Sequence, residues 1–148
     1  MDAVNREAVY AVKSAARDCA MQMFQNATYI QGELPNVEMP DELRARTEHV
    51  CTELIGTKHD VISELSGLDE LLGAQDSEKD VRSRVNRIIT WMGLDIGMVH
   101  ELVSALHSAS KEDPDYAVAF MLVAESGANI LKAFSAVAAA AEEFRAQA

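Results

Sequence analysis

The sequence predicts an all-α fold, an antiparallel up-down-up-down four-helix bundle, and three observations lead to it. Four stretches of about 30 residues carry apolar residues at alternating steps of three and four, which places them on one face of an α-helix. Hydrophobic residues make up 49% of the chain and aromatic residues only 5%, a balance that favours closely packed helices. Short connectors should make consecutive helices antiparallel neighbours. At 148 residues, the chain is expected to form one domain over residues 1–148.

The first helix is expected over about residues 2–31. Its apolar side consists of Val9, Val12, Ala16, Cys19, Met23, Ala27 and Ile30. A connector over residues 32–39 contains Gly and Pro, and its three large apolar side chains are expected to fold back over the bundle end. Pro40 suits the first turn of the next helix, because proline lacks an N–H group that this turn leaves unpaired.

The second and third helices are expected over about residues 41–72 and 78–109. Each has an apolar seam at heptad-like spacing, and a charged residue interrupts each seam: Lys58 in the second helix and Asp95 in or beside the seam of the third. The connector between them is Gly73–Asp76. Ser77 and Asp80 then approximate a capping box that starts the third helix.

The fourth helix is expected over about residues 114–145, after an Asp-Pro pair that suits a helix start. It carries two apolar stripes. The first consists of Ala117, Phe120, Ala124, Gly127, Leu131, Phe134, Ala138 and Ala141. The second repeats every seven residues and consists of Tyr116, Val123, Ile130, Val137 and Phe144. A helix of a monomeric bundle should keep a polar outer face, so the second stripe predicts a homodimer interface; alternatively, the two stripes serve two neighbours within the bundle.

Glycines lie inside the predicted helices, at Gly56, Gly67, Gly93, Gly97 and Gly127. Each costs a helix about 1 kcal/mol relative to alanine, so five or six shorter helices, or kinked ones, are the alternative architecture. If each hairpin folds about the centre of its connector, all of these glycines except Gly67 fall in one middle layer.

That middle layer predicts a pocket. Its residues are Lys58, Trp91, Gly93, Asp95, Gly97 and Gly127. Lys58 and Asp95 would supply converging polar groups and Trp91 a wall. The alternative is a small-residue face that permits tight helix crossing, with the two charges forming a neutralising pair or reaching water.

The net charge of -11 argues against nucleic-acid binding, which needs a surplus of Lys and Arg on some face. Much of this charge lies in the second helix. Its Glu48, Glu53, Asp60 and Glu64 form a candidate face for a basic protein partner, and a merely solvated face is the alternative.

The sequence contains no phosphate-binding Gly-rich loop, nucleophile elbow or His-Glu-x-x-His motif. None of its histidines has a glutamate three residues before it, as a di-iron bundle requires. Cys19 and Cys51 are expected to lie within about one helical turn of each other as reduced packing residues. We therefore expect a protein that is not an enzyme and that uses no metal or cofactor.

The N-terminus lacks a basic patch followed by an apolar core, which indicates a cytoplasmic location. Residues 116–141 are the least polar, but Glu125 and Lys132 interrupt them and would make membrane insertion costly. The expected function is that of a non-enzymatic helical interaction module, such as an adaptor, inhibitor or immunity-like protein, acting as a homodimer. The alternative is a small-molecule-binding or sensory bundle with a mid-bundle pocket.

Overall fold

The computed structural model describes the backbone of residues 3–72 and 78–146, and the side chains of residues 6–71 and 79–146. In these ranges α1 spans Ala3–Glu33, α2 Asp41–Leu72, α3 Glu78–Glu112 and α4 Ala117–Ala146, with no strand. The predicted all-α four-helix bundle is confirmed. Helices α2, α3 and α4 run unbroken through their interior glycines, so the alternative of five or six shorter helices is wrong.

The helices pack as a closed ring in which α1 contacts α2 and α4, and α3 also contacts α2 and α4. The diagonal pair α1 and α3 hardly touches. Each helix contributes one stripe of fully buried side chains to the core, such as Met23, Leu54, Met92 and Ile130. Burial of each such side chain contributes about 1.5–3 kcal/mol, so these stripes dominate the stability of the bundle.

The connector between α1 and α2 closes one end of the bundle. Its first part, Leu34–Asn36, is a short 3-10 helix. Leu34, Val37 and Met39 are buried, as the sequence predicts. The guanidinium of Arg44 donates hydrogen bonds to the carbonyls of Leu34 and Val37, the second at 2.7 Å, and so fixes the connector to α2.

The starts of α2 and α4 differ slightly from expectation. Pro40 lies just before α2, and its carbonyl accepts the Arg44 N–H at 2.9 Å. The carboxylate of Asp113 accepts the Asp115 N–H at 2.9 Å, so the predicted cap forms. It caps the 3-10 helix Pro114–Tyr116, and α4 itself begins at Ala117, three residues after the expected start. The predicted connector at residues 73–76 and the capping box that begins at Ser77 lie outside the described residues.

The two cysteines are farther apart than the sequence indicates. Phe24 lies opposite Lys58, with the lysine Nζ 4.7 Å from the ring centroid, so the first hairpin folds about residue 41. Cys19 therefore lies at the level of residue 63, on the order of 12 residues along α2 from Cys51. The expectation that they are neighbours is wrong, because the connector runs alongside the start of α2, where Arg44 binds the carbonyls of Leu34 and Val37, and so shifts α2 along α1. Both thiols are buried and free.

Candidate functional site

The second stripe of α4 forms the core of this chain. Val123, Ile130, Val137 and Phe144 are each at most 4% exposed, and Tyr116 is half-buried. The stripe lies on the inner side of α4, between the lines of contact with α1 and α3. A dimer interface at these residues, as predicted from the sequence, is therefore wrong, because a second copy could reach them only by opening the bundle.

The first stripe of α4 lies against α3 and reaches the surface. Phe120 stacks on His107 with ring centroids 4.8 Å apart. Phe134 is half-buried and lies close to Gly93 of α3. Leu131 is 51% exposed. The second stripe therefore points into the core, and the first stripe is mostly half-buried at the boundary with α3.

A groove of about 510 Å³ separates the outer sides of α3 and α4. It is lined on α3 by Gly93, Gly97 and His100, and on α4 by Gly127, Ala128 and Leu131, among others. A Cβ at position 127 would lie 3.0 Å from Val99 Cγ1, so this glycine permits close approach of α3. A Cβ at position 97 would meet nothing within 4 Å, because Gly97 opens to solvent.

The charged part of the predicted pocket does not join this groove. Lys58, Trp91 and Asp95 do not line it. The Lys58 ammonium lies over the ring of Phe24, and the Asp95 carboxyl accepts a hydrogen bond from Thr57. The predicted Lys58–Asp95 pair is therefore wrong. Lys58 points towards α1, whereas Asp95 points into the core.

Asp95 is a buried carboxyl group, with 5% of the residue exposed. Burial raises its pKa to about 6, with a contribution from nearby Glu53, while the Thr57 hydrogen bond acts in the opposite direction. Its Oδ2 atom has no hydrogen-bond partner among the described residues. Ionised Asp95 therefore destabilises the fold, since a buried charge without full compensation is costly.

The two thiols are poorly suited to redox or nucleophilic chemistry. Burial, and secondarily the charge of Asp95, raises the pKa of Cys19 to about 12. Burial and Glu48 raise the pKa of Cys51 to about 11. Both thiols stay protonated at neutral pH, and the thiolate is the reactive form.

The acidic face of α2 is smaller than predicted. Glu48, Glu53 and Asp60 are exposed. The Glu64 side chain is only 15% exposed and accepts hydrogen bonds from Arg84 at 2.7 Å and Arg87 at 2.9 Å. Glu64 therefore ties α2 to α3, and its place on a partner-binding face is a wrong prediction.

A second groove, of about 600 Å³, lies between α1 and α4. It is more polar than the first, with Asp18 and Gln25 on α1 and Lys132 on α4. Asn129 of α4 donates a hydrogen bond of 3.2 Å to Asn26 of α1 at this boundary. The outer side of α4 is therefore a ridge with a groove on either side.

Four of the seven large apolar side chains that are exposed among the described residues lie on this ridge or on α3. Val118, Met121 and Leu131 on α4 and Leu94 on α3 are 51–65% exposed, and the other three, Tyr10, Met21 and Tyr29, belong to α1. We call the exposed residues of α4 and the adjoining α3–α4 groove the α4 face. Its stripe along α4 is Val118, Met121, Glu125, Ala128, Lys132, Ala136 and Ala139, all exposed. Sequence reasoning missed this stripe, although the scarcity of charge in residues 116–141 signals it.

Among the described residues, no group of three or more His, Cys, Asp or Glu side chains could hold a metal ion. Helices α3 and α4 each contain a stretch long and apolar enough to span a membrane, by length and composition alone.

The chain was also compared with known proteins. No protein-family model, curated protein or solved structure matches the chain significantly.

Proposed function

We propose that this chain is a non-enzymatic helical interaction module and that the α4 face docks an apolar helix of a protein partner. One observation carries the proposal: in a protein of net charge -11, this face exposes large apolar side chains and, from Val118 to Ala139, only two charged groups of α4, Glu125 and Lys132. Solvent-facing helices normally carry polar residues, and a large exposed apolar patch marks an interaction site.

The shape of the face suits a helix as ligand. Ala128, Ala136 and Ala139 are small enough to let a partner backbone come close, while Met121 and Leu131 protrude beside them. Such an arrangement of large and small side chains permits knobs-into-holes packing between helices. Full burial of a large apolar side chain contributes about 1.5–3 kcal/mol, and roughly half of that remains available at each half-exposed residue.

Photocrosslinking tests this docking surface. A benzophenone amino acid replaces Leu131 in the full chain, and in a matched control it replaces Ser66, an exposed residue of α2 outside the acidic face. In the cells that produce the protein, we expect a defined protein adduct from position 131 and none from position 66. An absence of protein adducts at position 131, or equal labelling at both positions, would overturn the proposal.

A small-molecule-binding bundle is the second candidate. The groove of about 510 Å³ favours it, because Gly93, Gly97 and Gly127 leave room for an apolar ligand. Native mass spectrometry of the protein purified from its own cells should then detect a bound molecule. Gly97→Leu, which fills the open part of the groove, should abolish that signal, whereas Gly56→Leu on α2 should not.

The exposed acids Glu48, Glu53 and Asp60 remain a second candidate surface, suited to a basic partner. Their role is separable from that of the α4 face, because they lie on the opposite hairpin. Replacing all three by Gln should leave the adduct at position 131 unchanged and should weaken any binding of a basic protein.

A further inference from the structure

We infer that the partner on the α4 face is a second copy of this chain, with α4 packed antiparallel on α4 about a two-fold axis between Ala128 and Asn129. The inference rests on the proposed function, since it names the occupant of the same surface. In such an isologous interface, residues equidistant from the axis face each other across the two copies. The exposed stripe of α4 can therefore be tested for self-complementarity.

The stripe is complementary in size about this axis. Val118 and Ala139 are equidistant from it, and so are Met121 and Ala136. Val118 is 62% and Met121 56% exposed, so each protrudes, and each faces an exposed alanine of the other copy. Large side chains of one copy thus fill the spaces over small side chains of the other, and Ala128 at the centre lets the helices approach closely.

The stripe is also complementary in charge. Glu125 and Lys132 are equidistant from the same axis, so Glu125 of each copy faces Lys132 of the other. Parallel pairing of α4 with α4 would instead set Glu125 against Glu125 and Lys132 against Lys132. Like charges directly opposite each other repel, so the charges favour the antiparallel arrangement. This ion pair therefore forms twice, once on each side of the axis.

Net charge decides which face two copies can share. Each copy has a net charge of -11, so association brings two strongly acidic molecules together. Between Val118 and Ala139, the stripe contributes one acid and one base, Glu125 and Lys132, and is therefore neutral. The α2 face, with Glu48, Glu53 and Asp60 exposed, would add repulsion at the contact.

The area is sufficient for a specific dimer. The stripe from Val118 to Ala139 is about 33 Å long at 1.5 Å per residue. With the adjoining grooves, a width of roughly 20 Å gives on the order of 700 Å² per copy, near the 800 Å² typical of a stable interface. A lipid bilayer fits this surface less well, because Glu125 and Lys132 lie at its centre and would be costly to bury in hydrocarbon.

Sedimentation velocity of the purified full chain tests the inference. We expect a dimer of twice 16.2 kDa. Ala128→Glu places two carboxylates at the axis and should weaken association at least about a hundredfold. Ala45→Glu alters another exposed helical alanine, on α2, and should leave the dimer unchanged. Circular dichroism checks that both variants stay folded. A monomeric wild-type chain, or equal effects of both substitutions, would overturn the inference.

Charge reversal tests the antiparallel register. Lys132→Glu and Glu125→Lys should each weaken the dimer on the order of tenfold, because two ion pairs become two repulsive contacts. The double variant, or an equimolar mixture of the two single variants, should restore association. No restoration in either case would overturn the predicted register.

The remaining outcomes separate this inference from the proposed function. If the chain is monomeric and position 131 crosslinks to a different protein, the interaction module stands and the second copy does not. If the monomeric chain instead floats with vesicles of phosphatidylcholine and phosphatidylglycerol, and Ala128→Glu abolishes flotation, a membrane occupies the face and both proposals fail.

Discussion

The two hairpins of this bundle place charge and apolar surface in opposite ways. On the α1–α2 hairpin, exposed acids such as Glu48 and Asp60 cover the outer side of α2, and Glu64 is tied to arginines of α3. On the α3–α4 hairpin, a carboxyl group, Asp95, lies in the core, while Met121 and Leu131 face outwards. A buried charge and exposed large apolar groups are both informative departures, because the first costs stability and the second marks an interaction site.

This difference assigns different tasks to the hairpins. The α1–α2 hairpin mostly follows the ordinary pattern of apolar inside and charged outside, which suits a scaffold, although α1 exposes Tyr10, Met21 and Tyr29. The α3–α4 hairpin departs further, with a buried carboxyl group as well as exposed apolar side chains, and departures from consistency concentrate at functional sites. We therefore expect substitutions in the core to change the free energy of unfolding, and substitutions on the α4 face to change association instead.

The largest difference in the free energy of unfolding is expected between a charge placed on the buried side of α4 and a charge placed on its exposed side. Val137→Asp buries a charge at a fully buried residue and should lower the free energy of unfolding by about 4 kcal/mol. Ala139→Asp, two residues away on the exposed stripe, should change the monomer by less than about 0.5 kcal/mol. Urea unfolding followed by circular dichroism in dilute solution measures both. Similar costs at both positions would contradict the orientation of α4.

The orientation of α4 shows where sequence reasoning succeeds and fails. Apolar periodicity predicts the four helices, because burial imposes a period near 3.6 on any helix of a bundle. On α4 the apolar residues surround most of the helix, so periodicity identifies two stripes but not which one faces inwards. That choice depends on the packing of α4 against α1 and α3, which no local pattern encodes.

The second-largest effect on the free energy of unfolding is expected from Asp95, and it depends on pH. Its folded-state pKa of about 6 exceeds the ordinary value of 3.8, so the folded chain holds the proton more tightly. The free energy of unfolding should therefore fall as pH rises from about 4 to 6 and then level off, by on the order of 2 kcal/mol. Asp95→Asn should remove this slope. The free energy of unfolding of the variant, minus that of the wild-type chain, should therefore be larger at pH 7 than at pH 4.

Glu101→Gln provides the control for Asp95→Asn, because Glu101 is an exposed acid of the same helix. It should leave the pH dependence of unfolding between pH 4 and 7 nearly unchanged. If Asp95→Asn shows the wild-type slope, another group titrates in this range and the buried carboxyl is not its source.

The predicted pocket shows a second limit of sequence reasoning. Mirroring residues about the connectors brings Gly93, Gly97 and Gly127 together correctly, because the α3–α4 connector is short. It fails for Lys58, because height along a bundle does not fix which way a side chain points. Lys58 points to Phe24 on one side of α2, whereas Asp95 faces the core.

The smallest effect compares a glycine from each hairpin. A Cβ at Gly56 or at Gly97 meets nothing within 4 Å, so Gly56→Ala and Gly97→Ala should each stabilise the monomer by about 1 kcal/mol through helix propensity. Gly127→Ala should gain less, because its Cβ would lie 3.0 Å from Val99 Cγ1 and must displace that side chain. Thermal unfolding in dilute solution gives the ranking. If Gly127→Ala stabilises the monomer as much as the other two substitutions, then α3 and α4 separate more easily than their close packing indicates. The α4 face would then be a deformable rather than a preformed docking surface.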